Sequence, residues 1–431
     1  MAESNVLDRM RRDWNDRARE DVRYYVAFGG REQGDAEFLA SAADVVRGLR
    51  GEIKHLRPAA GLKGLEIGCG PGRLMFPLSR EFAEIHGTDV SDEMIRMAAA
   101  RLSGIPHAHV HHTGKSDLSI FADESFDFVY SYAVFQHIPS REIVLGYLTE
   151  ARRVLKPGGI LRCQINGLPE TSARYTTWDG VRIPGQEVAD FALRHDFQLL
   201  ALENVATQYL WTTWRKRAPG WRALLDPSPV PATRFRIISN ALTADPLVPA
   251  SGPRAFAALR LENLPADADL IDLEVRIDGR PGVLSYLGPP EWDGVVQLNV
   301  ALPAGTRTGL VPVEVFWLGK PITEVTAMRV IPCGPAVPRV CAVTDGVNLA
   351  SGARIASRSI KVVMVETSAP ERIEAAVDGV PVKRLDVFCT DPLEQRHEVN
   401  IFLPDTVSRG PHLLRLTLGR RVFAPVAIEV V

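Results

Sequence analysis

The residues whose types and spacing carry the clearest chemistry lie in one short run, Leu65-Glu66-Ile67-Gly68-Cys69-Gly70-Pro71-Gly72, and at Asp89. Glycine adopts positive φ without steric cost and lets a backbone come close to a ligand. Gly-x-Gly-x-Gly after an apolar run therefore describes a tight cradle, formed by Gly68, Cys69, Gly70 and Gly72. The spacing differs from Gly-x-Gly-x-x-Gly, whose third glycine packs helix to strand beside a pyrophosphate. Glu66 stands just before the first glycine. A carboxylate there repels a pyrophosphate and suits the ammonium of an amino-acid ligand, directly or through water. Asp89 closes the next apolar run, where a carboxylate accepts hydrogen bonds from both hydroxyls of a ribose. The alternative for Asp89 is to cap the helix that starts at Ser91. His137, in Phe135-Gln136-His137-Ile138-Pro139, is a candidate general base, because an imidazole titrates near neutrality.

These residues need elements to position them. The pattern predicts a charged helix over 4–22 and an amphipathic helix over 36–57 that ends before Pro58. Residues 64–67 read as a buried strand, 73–83 as a helix, 83–89 as a strand and 91–102 as a helix with Ser91 at its N-cap and Met94 near its start. Further strands are expected at 109–113, 126–132 and 160–165, and a helix at 140–155 closed by the turn Lys156-Pro157-Gly158-Gly159. A helix near 186–195 and a hairpin over 197–205 and 208–216 complete this part. Strands alternating with helices of this length imply βαβ units and a parallel sheet.

With these motifs in order, residues from about 60 to 217 resemble the class I, Rossmann-like, S-adenosylmethionine (SAM)-dependent methyltransferases, particularly the small-molecule subgroup called type 11. Glu66-x-Gly-x-Gly-x-Gly matches the family's first motif, Asp89 its ribose acid, Asp123-Glu124-Ser125-Phe126-Asp127-Phe128-Val129 its fourth strand and Leu155-Lys156-Pro157-Gly158-Gly159 the turn before its fifth. The resemblance implies a seven-stranded, mostly parallel sheet with the last strand antiparallel, and SAM across its C-terminal edge. It implies cofactor roles for Glu66, Gly68, Cys69, Gly70, Gly72, Asp89, Val90 and Met94. One departure stands out. Where the family has Gly-Asp after strand three, this chain has Gly114-Lys115-Ser116-Asp117, so Asp117, with the Ser116 amide, is expected to take over the contact with adenine. Tyr24 and Tyr25 are expected to cap the cationic sulfur with their aromatic faces, in a segment that such enzymes fold over the site. Trp14 is expected to pack.

The chain changes character near residue 220. Ala218-Pro219-Gly220 and Asp226-Pro227-Ser228-Pro229-Val230-Pro231 read as a Pro-rich linker over 218–231 between a domain spanning 1–217 and the C-terminal half of the chain. That half is β-rich and internally repeated. Ile277-Asp278-Gly279-Arg280-Pro281 returns as Val377-Asp378-Gly379-Val380-Pro381, and Leu298-Asn299-Val300-Ala301-Leu302-Pro303 as Val399-Asn400-Ile401-Phe402-Leu403-Pro404. The period, about 100 residues, is that of one β-sandwich. Residues 232–333 and 338–431 are expected to be two immunoglobulin-like sandwiches that dock a protein or carbohydrate partner or mediate homodimerisation.

Bulk properties narrow the classes. A net charge of −2 argues against a nucleic-acid protein. Five cysteines without a CxxC pair argue against a disulfide scaffold or a zinc site, and His107, His109, His111 and His112 have no third ligand at metal spacing, so no metal is expected. The charged N-terminus has no secretory apolar region and no long apolar run suits a membrane, so a cytoplasmic protein is expected. The leading expectation is methyl transfer to a small molecule such as a sugar, lipid or secondary metabolite. The alternatives are a nicotinamide dehydrogenase and a binding protein whose SAM domain is regulatory or inert.

Overall fold

The computed structural model describes residues 3–27, 34–56, 61–114, 117–170, 174–227, 232–334, 337–347, 352–367, 369–391 and 395–431. The chain forms two compact units. One comprises residues 1–20 and 42–333, the other 21–41 and 334–431.

The first unit is built around parallel strands. β1 (Lys63–Ile67), β2 (Glu84–Asp89), β3 (Ala108–His112), β4 (Phe126–Ser131), β5 (Leu155–Ile165), β6 (Phe197–Glu203) and β7 (Leu210–Lys216) lie in the order β3-β2-β1-β4-β5-β7-β6. β3, β2, β1, β4 and β5 are mutually parallel, and β7 runs antiparallel to both neighbours. The seven-stranded, mostly parallel sheet implied by the resemblance is thus present. Strands such as β1 and β4 are nearly continuous in buried residues, because helices cover both faces of a parallel sheet. The helix α1 (Glu3–Ala27) leaves helical geometry at Asp21. The other helices are α2 (Asp35–Ala40), α3 (Ala43–Ile53), α4 (Met75–Leu78), α5 (Asp92–Leu102), α6 (Arg141–Val154) and α7 (Gly185–Arg194). α6 buries Ile143, Val144, Tyr147, Leu148, Ala151 and Val154, the i, i+3, i+4 stripe of an amphipathic helix.

Three local expectations are corrected. The helix expected over 36–57 is two helices, α2 and α3, divided at Ser41, whose hydroxyl bonds back to the Phe38 carbonyl at 2.6 Å. The helix expected over 73–83 contracts to α4 and a 3₁₀ turn at Ser79–Glu81, consistent with Pro77 removing an N–H donor. The turn expected at 156–159 is instead absorbed into β5, with Gly158 at φ +81° and Lys156 clasping both Asp127 oxygens at 2.8–2.9 Å.

The sheet does not stop at β6. It continues antiparallel into β13 (Val283–Leu287), with Tyr286 opposite Ala201, and on to β14 (Val296–Ala301), β10 (Phe256–Glu262) and β8 (Arg234–Asn240). A second sheet, β12-β11-β15-β17-β9, contains β9 (Leu247–Pro249), β11 (Leu273–Ile277), β12 (Arg280–Pro281), β15 (Gly309–Trp317) and β17 (Thr326–Ile331), with β16 (Lys320–Pro321) against β15. Inward residues of both sheets, among them Leu259, Leu298, Val275 and Val313, share one core. The Gln198 amide donates to the Ala266 and Ala268 carbonyls at 2.9 and 2.8 Å. The described part of the expected linker is packed: Trp221–Leu224 forms a 3₁₀ turn, Trp221 is buried, and Arg222 pairs with buried Asp269.

In the second unit, the strand order β18-β20-β24-β23 repeats β8-β10-β14-β13, and β19-β27-β25-β21-β22 repeats β9-β17-β15-β11-β12. Here β18 is Arg339–Asp345, β19 Arg354–Ile355, β20 Ser359–Val365, β21 Ile373–Val377, β22 Val380–Val382, β23 Leu385–Asp391, β24 Arg396–Phe402, β25 Gly410–Leu418, β26 Arg421–Val422 and β27 Val426–Val430. The repeated Asp-Gly pairs make equivalent hairpin turns, with Asp278 and Gly279 at φ +53° and +73° and Asp378 and Gly379 at +49° and +84°.

Candidate functional site

Order reversal at β1 and β4 makes a crevice beyond the C-terminal ends of the strands, the usual ligand position of an open α/β sheet. The glycine bend and Asp89 meet there. Gly68, Gly70 and Gly72 all have positive φ, +73°, +52° and +79°. A side chain at Gly68 would run into Val134, so this backbone approaches the β4 loop as closely as glycine allows. The Gly68 and Cys69 amides donate to the Thr88 carbonyl at 2.8 and 2.9 Å, tying the bend to β2. The Gly70 amide donates to Asp89 Oδ2 at 2.9 Å, and the Ser91 amide to Asp89 Oδ1 at 2.9 Å. Burial pushes the Asp89 carboxyl up, and the Ser91 and Gly70 amides oppose the rise. Capping of α5 falls to Ser91, whose hydroxyl accepts the Met94 amide at 3.2 Å, so Asp89 is not the helix cap.

Glu66 lies beneath the bend and is 2% exposed. Burial pushes its carboxyl up to about 8, against the Tyr130 hydroxyl that donates to it at 2.9 Å and the charge of Arg73. Cys69 is buried with its thiol pushed up, so it behaves as a small apolar group rather than a nucleophile. Met94 is buried in the first turn of α5, while the Val90 carbonyl accepts from His112 Nε2 at 3.2 Å. The Asp117 carboxylate accepts from the Ser119 amide and hydroxyl, at 3.2 and 2.7 Å. Ser116 lies outside the described residues. Tyr24 and Tyr25 form an edge-to-face pair, ring centroids 5.0 Å apart, within the second unit.

His137 is held from both sides. Its Nδ1 donates to the Trp178 carbonyl at 2.8 Å, and its Nε2 faces the Gln136 amide nitrogen at 3.2 Å. Burial lowers its pKa to about 4. The contacts continue as a chain: Gln164 Nε2 donates to Gln136 Oε1, and Gln164 Oε1 accepts the Ala133 amide, each at 2.9 Å. Ala133 sits in the left-handed region at φ +55°, a strained conformation beside the bend.

Several residues at this edge gave no sequence signal. The Asn15 carboxamide oxygen accepts from the Ser91 hydroxyl at 2.7 Å and the Glu93 amide at 3.2 Å, and its nitrogen donates to Asp92. Arg11 pairs with Asp92 at 2.7 Å and Arg19 with Glu93 at 3.1 Å. One turn of the same helix meets the opposite side of the crevice: Trp14 packs edge-on to His137, and Arg17 lies between the Trp14 and Trp178 rings while donating to Thr177. The first part of α1 thus spans from the β2–α5 connection to the Thr177–Trp178 loop. The helical period and charge of 4–22 were legible; the partners across about 75 to 165 residues of chain were not, because long-range pairing leaves no local pattern. Arg73 lies 5.8 Å over the Tyr132 ring, and Tyr132 stacks on Trp211 at 5.5 Å.

Residues 65–163 match the family described as "Methyltransferase domain". The chain is 34% identical over 125 residues to a ubiquinone biosynthesis O-methyltransferase of Dinoroseobacter shibae, covering 28% of this chain and 48% of that protein. It is 37% identical over 120 residues to the enzyme of the same name from Ruegeria pomeroyi, covering 27% and 46%. The chain therefore spans about half the length of these curated relatives. A solved structure of Haemonchus contortus phosphoethanolamine N-methyltransferase 1, with phosphoethanolamine and S-adenosylhomocysteine, aligns with 51% of each chain at 15% identity and a TM-score of 0.39. No helix among the described residues is long and apolar enough to cross a membrane.

Proposed function

We propose that this protein is a SAM-dependent methyltransferase acting on a small-molecule acceptor. The observation that carries the reading is the 2.9 Å hydrogen bond from the Gly70 amide to Asp89, which brings the glycine bend and the ribose acid into one site. The residues fit the cofactor: the Gly68 cradle excludes any side chain, buried Glu66 offers an acceptor for an amino-acid ammonium, and Asp89 is pre-set by two amides. When bound, SAM supplies an electrophilic methyl on a sulfonium. The chain's own work is to hold that methyl in line with the acceptor and exclude water, which accounts for much of such a reaction's acceleration.

In this reading His137 positions the Thr177–Trp178 loop instead of taking a proton, since both ring nitrogens are engaged. The domain is proposed to span 1–217 and to connect through 218–231 to two sandwiches of immunoglobulin type at 232–333 and 338–431. Their proposed role is docking, to a second copy or to a protein or carbohydrate partner; Trp292, 89% exposed, is a surface aromatic available for it, whereas Trp317 is core. The test is calorimetric titration of the full chain with SAM and, separately, NAD. Saturable SAM binding without NAD binding supports the proposal; NAD binding alone replaces it with a dehydrogenase.

A further inference from the structure

Away from the glycine bend, the edge of the sheet carries a cluster that the proposed reaction does not use. β2 and β3 pair in parallel with His86 opposite His109 and Thr88 opposite His111, so the alternation of a strand puts Glu84, His86, His109 and His111 on one face. The His86 ring lies 5.0 Å from that of His109 and stacks on that of His111 at 5.2 Å. One ligand atom each from Glu84, His86 and His109 lie within 4.8 Å of one another.

We propose that Glu84, His86 and His109 form a site for a divalent transition metal of the zinc class, with water completing the coordination. Two imidazoles and a carboxylate are a donor set that suits Zn²⁺ and its neighbours. Ligands on a tetrahedral zinc stand roughly 3.3–3.5 Å apart, given zinc–ligand bonds of about 2.0–2.2 Å. A small rotation of His109, whose side chain is exposed, closes the gap. The surroundings are those of a built site. Glu84 Oε1 and His86 Nε2 share a 2.8 Å hydrogen bond that opens by about 0.5 Å as the metal replaces its proton, and the other Glu84 oxygen is held by Lys63 at 2.5 Å. With metal on Nε2, His86 Nδ1–H donates to His111 Nε2, now 2.9 Å away, the outer hydrogen bond that orients ligating histidines. Phe121 and Phe126 wall the ring of His86 at 5.4 Å each. Bound metal fastens the edge strand β3 to β2. The spacing of histidines along β3 does not reveal the site, because its ligands come from two strands.

The test uses the full chain and Co²⁺ as a spectroscopic stand-in for Zn²⁺. One equivalent of Co²⁺ is expected to bind with visible d–d absorption that Zn²⁺ abolishes. His109→Ala, at an exposed position, and Glu84→Gln are each expected to weaken binding at least tenfold, and His107→Ala to leave it unchanged. His107 bonds to the Ser79 carbonyl and is outside the cluster. Absence of d–d bands in the wild-type chain, or bands unaffected by His109→Ala and Glu84→Gln, overturns the proposal.

Discussion

Asp89 and Glu66 carry opposite duties with the same functional group. Asp89 sits where two amides already donate to it, so it can receive further donors without moving. Hydrogen bonds to a charged acceptor contribute about 1.5–3 kcal/mol each, so Asp89→Ala, which loses two, is expected to weaken SAM binding by about a hundredfold or more, measured by calorimetry, with thermal unfolding run alongside to show a folded chain. Glu66 has a carboxyl raised to about 8 by burial. A ligand ammonium favours the carboxylate, so at pH 7 binding should release up to one proton, and affinity should rise with pH until about 8 and then level. Titration in buffers of different ionisation enthalpy measures this, and no proton release at pH 7 contradicts the assigned partner. Without ligand the sign reverses for stability: the folded state holds this proton more tightly than the unfolded chain, so the contribution of Glu66 falls as pH rises from its ordinary value of 4.5 through about 8. Gly68→Ala combines φ +73° with a collision at Val134 and should destabilise by about 1–3 kcal/mol in urea unfolding.

Elements place these residues, and the sequence showed most of them. The bend, Asp89, the Ser91 cap and the order of strands and helices were legible because each is a local pattern: apolar runs, glycine spacing, a hydroxyl before a helix. What α1 does was not legible. Its charge and helical period named no partner, yet Arg11, Asn15 and Arg19 grip the start of α5. Asn15→Ala removes three hydrogen bonds at Ser91, Asp92 and Glu93. The variant is expected to release SAM about tenfold faster in stopped-flow fluorescence, on the scale of one hydrogen-bond contribution; an unchanged off-rate removes α1 from the site. His137 shows the converse. Its type and place suggested a base, but burial and two engaged nitrogens were invisible in the sequence.

At the scale of the whole molecule, the internal repeat was legible from returning motifs, and the two strand orders agree element by element. The continuation of the parallel sheet into the first β module was not, because β6 and β13 lie far apart in sequence and a Pro-rich stretch between them reads as a spacer. A chain ended at residue 217 leaves β6, mostly buried here, as an open apolar edge. Such a fragment is expected to aggregate in size-exclusion chromatography and to unfold at lower temperature than one ended at residue 333. Equal behaviour of the two would show that the module adds nothing to the sheet.

A crystal structure of the full chain grown with S-adenosylhomocysteine would show directly whether the glycine bend and Asp89 hold one ligand. The ribose hydroxyls are expected on the Asp89 carboxylate and the amino-acid end over the Gly68–Gly70 bend, on the side of Glu66. Ligand bound elsewhere, or a ribose with no contact to Asp89, would contradict that placement.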